Sequence, residues 1–114
     1  MPLIYKICPE LLWREAEAAG RFSGAAIDLT DGYIHFSTGE QVRETAAKHF
    51  AGQRDLLLIA VDDATLGEAL RYEPSRGGAL FPHLYARLDP KAVRWIAPLA
   101  QDQSGRHIFP EDVA

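Results

Sequence analysis

Residues 55–61, DLLLIAV, set six apolar side chains in an unbroken row behind Asp55, and Asp62 and Asp63 close the row. A strand covered on one face alternates apolar and polar residues, so a continuous row of strand length reads as a strand buried on both faces. It belongs in the middle of a sheet. The chain has 114 residues, enough for one core and too short for two, so the other segments must supply the neighbours and cover of that strand within a single domain.

Residues 3–8, LIYKIC, are a second strand by their β-branched and aromatic content, with Lys6 as the one charge. Pro9 ends it and suits the first turn of a helix over residues 10–19, where Leu11, Leu12, Ala16 and Ala19 recur at helical spacing with Trp13 beside them. Gly20 is the stop. Residues 21–30 lose any period, and Ser23-Gly24 followed by small residues reads as a loop. Beyond the central strand, residues 64–70 hold one or two helical turns, 71–73 a short strand, and 92–99 (AVRWIAPL) the last strand. The polar stretch 101–106 leads into a loosely held tail.

The formal charge of −4 and pI near 5.5 argue against nonspecific binding to nucleic acid or to an anionic membrane. No run approaches the ~20 apolar residues of a membrane span, and the opening residues lack the apolar core of a signal peptide. Cys8, the single cysteine, cannot make an internal disulfide and reads as a small core residue. These features lead to the expectation of a cytoplasmic protein with no membrane partner.

Two stretches carry candidate chemistry. In DGYIHFST, residues 31–38, Asp31-Gly32 is a turn pair and a short strand follows, so Tyr33 and His35 share one face while Ile34 and Phe36 share the other. Thr38 with Gln41 three residues on has capping-box spacing, which predicts Thr38 as the N-cap of a helix through Val42, Ala46 and Phe50, ending near Gly52. His35 then stands beside a helix N-terminus, where backbone N–H groups favour anions or polar ligand atoms. In SRGGALFPHLY, residues 75–85, a glycine turn carrying Arg76 leads to an extended run that sets His83 and Tyr85 on one face. Pro82 predicts an edge or a bulge there. His35 and His83 are expected to meet in one concave pocket.

Each of these residues also has a purely structural explanation. A half-buried histidine bonded to a carbonyl accounts for His35 by residue type alone, although the adjoining turn and hydroxyls favour a functional role. Thr38 has a sufficient task as a cap, which leaves Ser37 as the better ligand candidate. Glu73 either pairs with Arg71 or Arg76 on the surface or reaches the site, and Arg76 either does the same or extends to an anion. Tyr5, Tyr33 and Tyr85 are more often core rings with hydroxyls at the rim. His35, His83 and Glu73 together resemble a two-histidine, one-carboxylate metal set, but none has local ligand spacing, so no metal is expected. No G-x-S-x-G elbow, P-loop or G-x-G-x-x-G occurs.

With the opening IYK and the GQRDLLLIAVD strand, the two stretches DGYIHFST and SRGGALFPHLY make the chain, up to about residue 88, similar to the small bacterial domain-of-unknown-function family 952. That family has been grouped with the ADP-ribosyltransferase-like fold. The resemblance implies an NAD cleft in a split, mixed sheet, with Lys6 on the first strand at a ribose, Tyr33, His35 and Ser37 on the second, and Glu73 as the late glutamate. Lys6 stands where active transferases carry histidine or arginine, and Glu73 comes early.

The expected fold is a single α+β domain, with a mixed sheet and two main helices, over residues 10–19 and 40–50, packed on it. The expected site sets His35, Glu73 and His83 at the chemistry and Lys6, Tyr33, Ser37, Arg76 and Tyr85 around a small-molecule or nucleotide ligand, with NAD as a candidate substrate. The alternative is a non-catalytic small-molecule or protein-binding module. Glu73 distinguishes them: facing His35 across the cleft it favours an enzyme, and facing outward a binder.

Overall fold

A computed structural model describes residues 2–111 and 113, apart from the side chain of Arg76. Strand β1 (Leu3–Pro9) alternates between two cores, sending Ile4 and Cys8 into one and Tyr5 and Ile7 into the other. Helix α1 (Glu10–Ala19) follows at once and stops where Gly20 adopts the left-handed conformation, φ 79°. Its buried residues are Trp13 and Ala16, while Leu11 is 82% exposed. The indole therefore sets the buried face, packing 5.4 Å from the Phe22 ring.

Helix α2 (Ala26–Asp31) occupies the stretch expected to be a loop. Its polarity is inverted: Asp28 is buried, whereas Ile27 and Leu29 are exposed, so no inward apolar stripe marks it in the sequence. Strands β2 (Ile34–His35) and β3 (Ser37–Thr38) are one extended stretch broken at Phe36, and α3 (Val42–His49) buries Val42 and Ala46. Thr38 does not cap α3, contrary to its spacing. It lies in β3 opposite Ile4, where Gln41 Oε1 accepts the Thr38 N–H at 3.0 Å and the Gln41 N–H donates to the Thr38 carbonyl. The capping-box spacing closes a turn ahead of the helix.

Strand β4 (Leu56–Asp62) is buried at every residue. A 3-10 segment (Asp63–Ala69) leads to β5 (Leu70–Pro74), which a turn connects to β6 (Leu80–Leu84), and β7 (Val93–Leu99) completes the strands. These form two sheets, ordered β3-β1-β4-β7 and β2-β6-β5, with β4 flanked by β1 and β7 as its apolar row requires. Every pairing among them is antiparallel, which corrects the expected mixed sheet. Apolar patterning establishes which strands are buried, whereas direction depends on where each connection returns the chain.

The smaller sheet packs on one face of the larger through Ile4, Ile34, Ile59 and Leu84, with Trp13 and Phe22 in the same core. On the other face α3 sets Val42 and Ala46 against Tyr5, Leu58 and Ala60. Cys8 is fully buried in the first core, and burial pushes its thiol up to about 11. Strand β6 is the middle strand of its sheet although Pro82 predicted an edge. The Pro82 carbonyl accepts the Phe36 N–H at 2.9 Å, so its nitrogen faces the side where β2 has already ended at His35 and needs no ladder bond.

The segment expected to lead into a loose tail folds back in a turn bridged between Gln101 and His107, and the Asp102 carboxylate accepts the N–H groups of Ser104 and Arg106. Val113 is buried, and Arg43 donates to its carbonyl. No helix among the described residues is long and apolar enough to cross a membrane.

Candidate functional site

The smaller sheet turns Ile34 and Leu84 to the core, so alternation turns Tyr33, His35, His83 and Tyr85 to its other face. Register adds Arg71 opposite His83 and Glu73 opposite Phe81. The rings come together there. Tyr33 stacks on His83 with centroids 4.1 Å apart, and lies 4.6 Å from the His35 ring and 5.2 Å from the Tyr85 ring. The two imidazoles are 5.6 Å apart.

Asp28, which no sequence motif marks, is the hub beneath His35. Its Oδ1 accepts the His35 backbone N–H at 3.1 Å and lies 2.6 Å from His35 Nδ1. Lys6 Nζ lies 3.0 Å from Oδ1 and 2.8 Å from Oδ2, and the Ala25 N–H donates to Oδ2 at 2.8 Å. Gly24 permits this approach: a Cβ there would stand 2.7 Å from Asp28 Cβ, at a backbone φ of +124°. Burial by itself would raise the Asp28 carboxyl. The hydrogen bond from His35, the charge and hydrogen bond of Lys6 and the Ala25 N–H outweigh it and hold the group at about 2.

On the other side of the His35 ring, Nε2 lies 2.9 Å from Asp31 Oδ2. A ring with carboxylate oxygens at both nitrogens satisfies both only by donating twice, as the imidazolium. His83 is held differently. It is 3% exposed, its Nδ1 lies 2.8 Å from Glu73 Oε1, and the Tyr85 hydroxyl donates to the same oxygen at 2.6 Å. The hydrogen bonds from Tyr85 and His83 hold Glu73 below the ordinary carboxylate range, and the bond to Glu73 raises the Tyr85 phenol. The Arg71 guanidinium lies over the Tyr85 ring, 5.2 Å from its centroid.

Tyr33, His35, Glu73, His83 and Tyr85 thus form one cluster, and Glu73 meets His83 rather than His35. Lys6 reaches it only through Asp28; it is 4% exposed and its ammonium is occupied. Ser37 lies apart, its hydroxyl 2.9 Å from that of Thr45 on α3, because the chain passes from one sheet to the other at Phe36 and the alternation of faces restarts. The side chain of Arg76 lies outside the described residues. The Ala25-to-Asp28 spacing, an acidic residue at the third position of a helix reaching back to the residue before it, accounts for only one of the Asp28 contacts and carries no sign of those to Lys6 and His35.

Beside the cluster runs an open groove of about 410 Å³, lined by Asp28, Leu29, Tyr33, Tyr85 and Arg87 among others; neither His35 nor His83 lines it, so although the two rings meet, this groove is not the pocket expected to hold both. A second groove of about 460 Å³, lined by Glu10, Arg54, Asp55, Pro98 and Asp102 among others, has neither an aromatic ring nor an imidazole. The first is therefore the better equipped to hold a planar ligand.

Fold and site define an α+β protein of two antiparallel sheets that carries two histidines on the smaller one, His35 paired with carboxylates of α2 and His83 with Glu73 of β5. The chain belongs to the DUF952 family of proteins of unknown function, whose model matches residues 7–96. It is similar to the protein CC0527 from Caulobacter crescentus, whose crystal structure is 53% identical over 93% of each chain with a TM-score of 0.90. The crystal structure of a double mutant of CC0527 is 52% identical over 93% of each chain, also at 0.90. The solution NMR structure of CC0527 is 54% identical over 92% of this chain and 90% of that one, at 0.84. No curated protein matches the chain.

Proposed function

We propose that the groove beside the ring cluster binds a nucleotide-type ligand, of which NAD is the leading candidate. The observation that carries this reading is the stack of Tyr33 on His83, with Tyr85 beside it at the wall of the groove. A base or nicotinamide ring gains by stacking on such faces, and Arg87 on the same groove offers a fork for a phosphate. In this reading a ribose that extends from the groove to the cluster would meet the Glu73 carboxylate, which would stabilise positive charge developing on the sugar. The reading extends to glycosyl transfer from NAD, without the roles that the family resemblance gives to Lys6, which is buried against Asp28, and to Ser37, which lies apart beside Thr45.

Thermal melting with NAD, ADP-ribose and AMP tests it. A ligand at 100 times its dissociation constant adds about 2.7 kcal/mol, and that gain should vanish in Tyr33→Ala. Unchanged melting with all three compounds would overturn the reading. A second reading, binding without turnover, is favoured by Lys6: the lysine that family resemblance assigns to the ribose is buried against Asp28 and has no free ammonium to offer. Release of nicotinamide on incubation with NAD would decide against this second reading.

A further inference from the structure

The two histidines of the cluster differ in what they leave free. Both nitrogens of His35 face carboxylates, Nδ1 to Asp28 and Nε2 to Asp31. Only Nδ1 of His83 is engaged, and Nε2 has no hydrogen-bond partner among the described residues. Trp13 Nε1 is the one fully enclosed side-chain nitrogen or oxygen without a partner among those residues, so Nε2 of His83 touches accessible space although its ring is almost wholly buried. An ionised carboxylate only accepts, which fixes the proton of the neutral His83 ring on Nδ1 and leaves the lone pair on Nε2.

We infer that His83 is the base of the site: its Nε2 accepts a hydrogen bond from a ligand hydroxyl and takes that proton, while Glu73 positions the ring. This deepens the nucleotide reading and rests on it, since it specifies what the ligand presents, a hydroxyl such as those of a ribose. In the transfer the ligand O–H bond breaks, its electron pair stays on oxygen, and the proton forms the Nε2–H bond. Glu73 then faces an imidazolium. The other groups around the ring are Tyr33 on its face, Tyr85 on the same Glu73 oxygen, Arg71 opposite it in β5, and His35. Tyr33 covers one face of the ring, and His35 has no free nitrogen to compete for the proton.

Long-range proton–nitrogen correlation spectra of the full chain, labelled with ¹⁵N in histidine, read this directly and need no ligand. In its neutral form His83 should carry its proton on Nδ1, with Nε2 in the range of an unprotonated acceptor, and Glu73→Ala should release the ring toward the Nε2–H form. A proton on Nε2 of the neutral wild-type ring, or a tautomer indifferent to Glu73→Ala, overturns the assignment. Added ADP-ribose should then move the His83 Nε2 resonance. If Tyr33 and Tyr85 resonances shift while His83 Nε2 does not, the nucleotide reading stands and the base is wrongly assigned; if nothing shifts, the nucleotide reading fails and the inference built on it fails too.

Discussion

Among single residues, Asp28 holds more of the site together than either histidine, through Lys6, Ala25 and His35. Removing its carboxylate leaves the Lys6 ammonium buried without a partner, and breaking a buried pair in this way costs roughly 3–5 kcal/mol. Asp28→Ala should show a loss of that order in urea unfolding, and a loss under about 1 kcal/mol would mean that Lys6 finds water in its place. The same carboxylate sets a pH dependence. Its folded value is lowered from 3.8 to about 2, so its contribution is complete above the unfolded value and is lost as pH falls through that interval. Unfolding free energy measured from pH 5 to pH 2 should fall more steeply in the wild type than in Asp28→Asn. His35→Ala should cost about 1–3 kcal/mol, because it strips partners from Asp28 and Asp31, and equal stability of mutant and wild type would show that those contacts carry nothing. Tyr33, His35, His83 and Tyr85 were legible in the sequence because strand alternation alone puts each pair on one face. Asp28 was not, because its three partners lie on β1, ahead of α2 and on β2, and no local spacing expresses that convergence.

At the scale of the element, β1, β4 and β7 were legible from their apolar content, whereas α1 lies at its expected residues but buries Trp13 and Ala16 rather than the face of Leu11 and Ala19. Helix α2 escaped because it does the opposite, exposing Ile27 and Leu29 and burying a charge. Gly24→Ala tests how tightly it is seated. The added Cβ meets Asp28 Cβ at 2.7 Å on a backbone that L side chains rarely adopt, so chemical denaturation should show a loss above 1 kcal/mol; a neutral substitution would mean that α2 shifts freely. The start of α3 invites a paired comparison. The Thr38 hydroxyl makes no hydrogen bond among the described residues, so Thr38→Ala should fall within about 0.5 kcal/mol of wild type. Gln41 accepts from the Thr38 N–H and donates to the Leu80 carbonyl at 2.7 Å, so Gln41→Ala should cost about 1 kcal/mol or more. The reverse order of these two melts would restore Thr38 as the cap.

At the scale of the whole molecule, two antiparallel sheets share one core, and the smaller one keeps its polar face outside that core for the ring cluster. The family resemblance implied a split sheet, but where the chain divides was not visible in the sequence. Residues 33–38 read as one strand, whereas the chain divides them between the sheets, which is why His35 enters the cluster and Ser37 does not. The central claim is that this outer face of the small sheet, with its adjoining groove, is where a nucleotide binds. Backbone proton–nitrogen spectra of the ¹⁵N-labelled chain titrated with ADP-ribose test it most directly. Saturable shifts should occur at Tyr33, His83, Tyr85 and Arg87, with residues 98–102 of the second groove unmoved; shifts confined to residues 98–102, or none at millimolar ligand, would contradict nucleotide binding at this face.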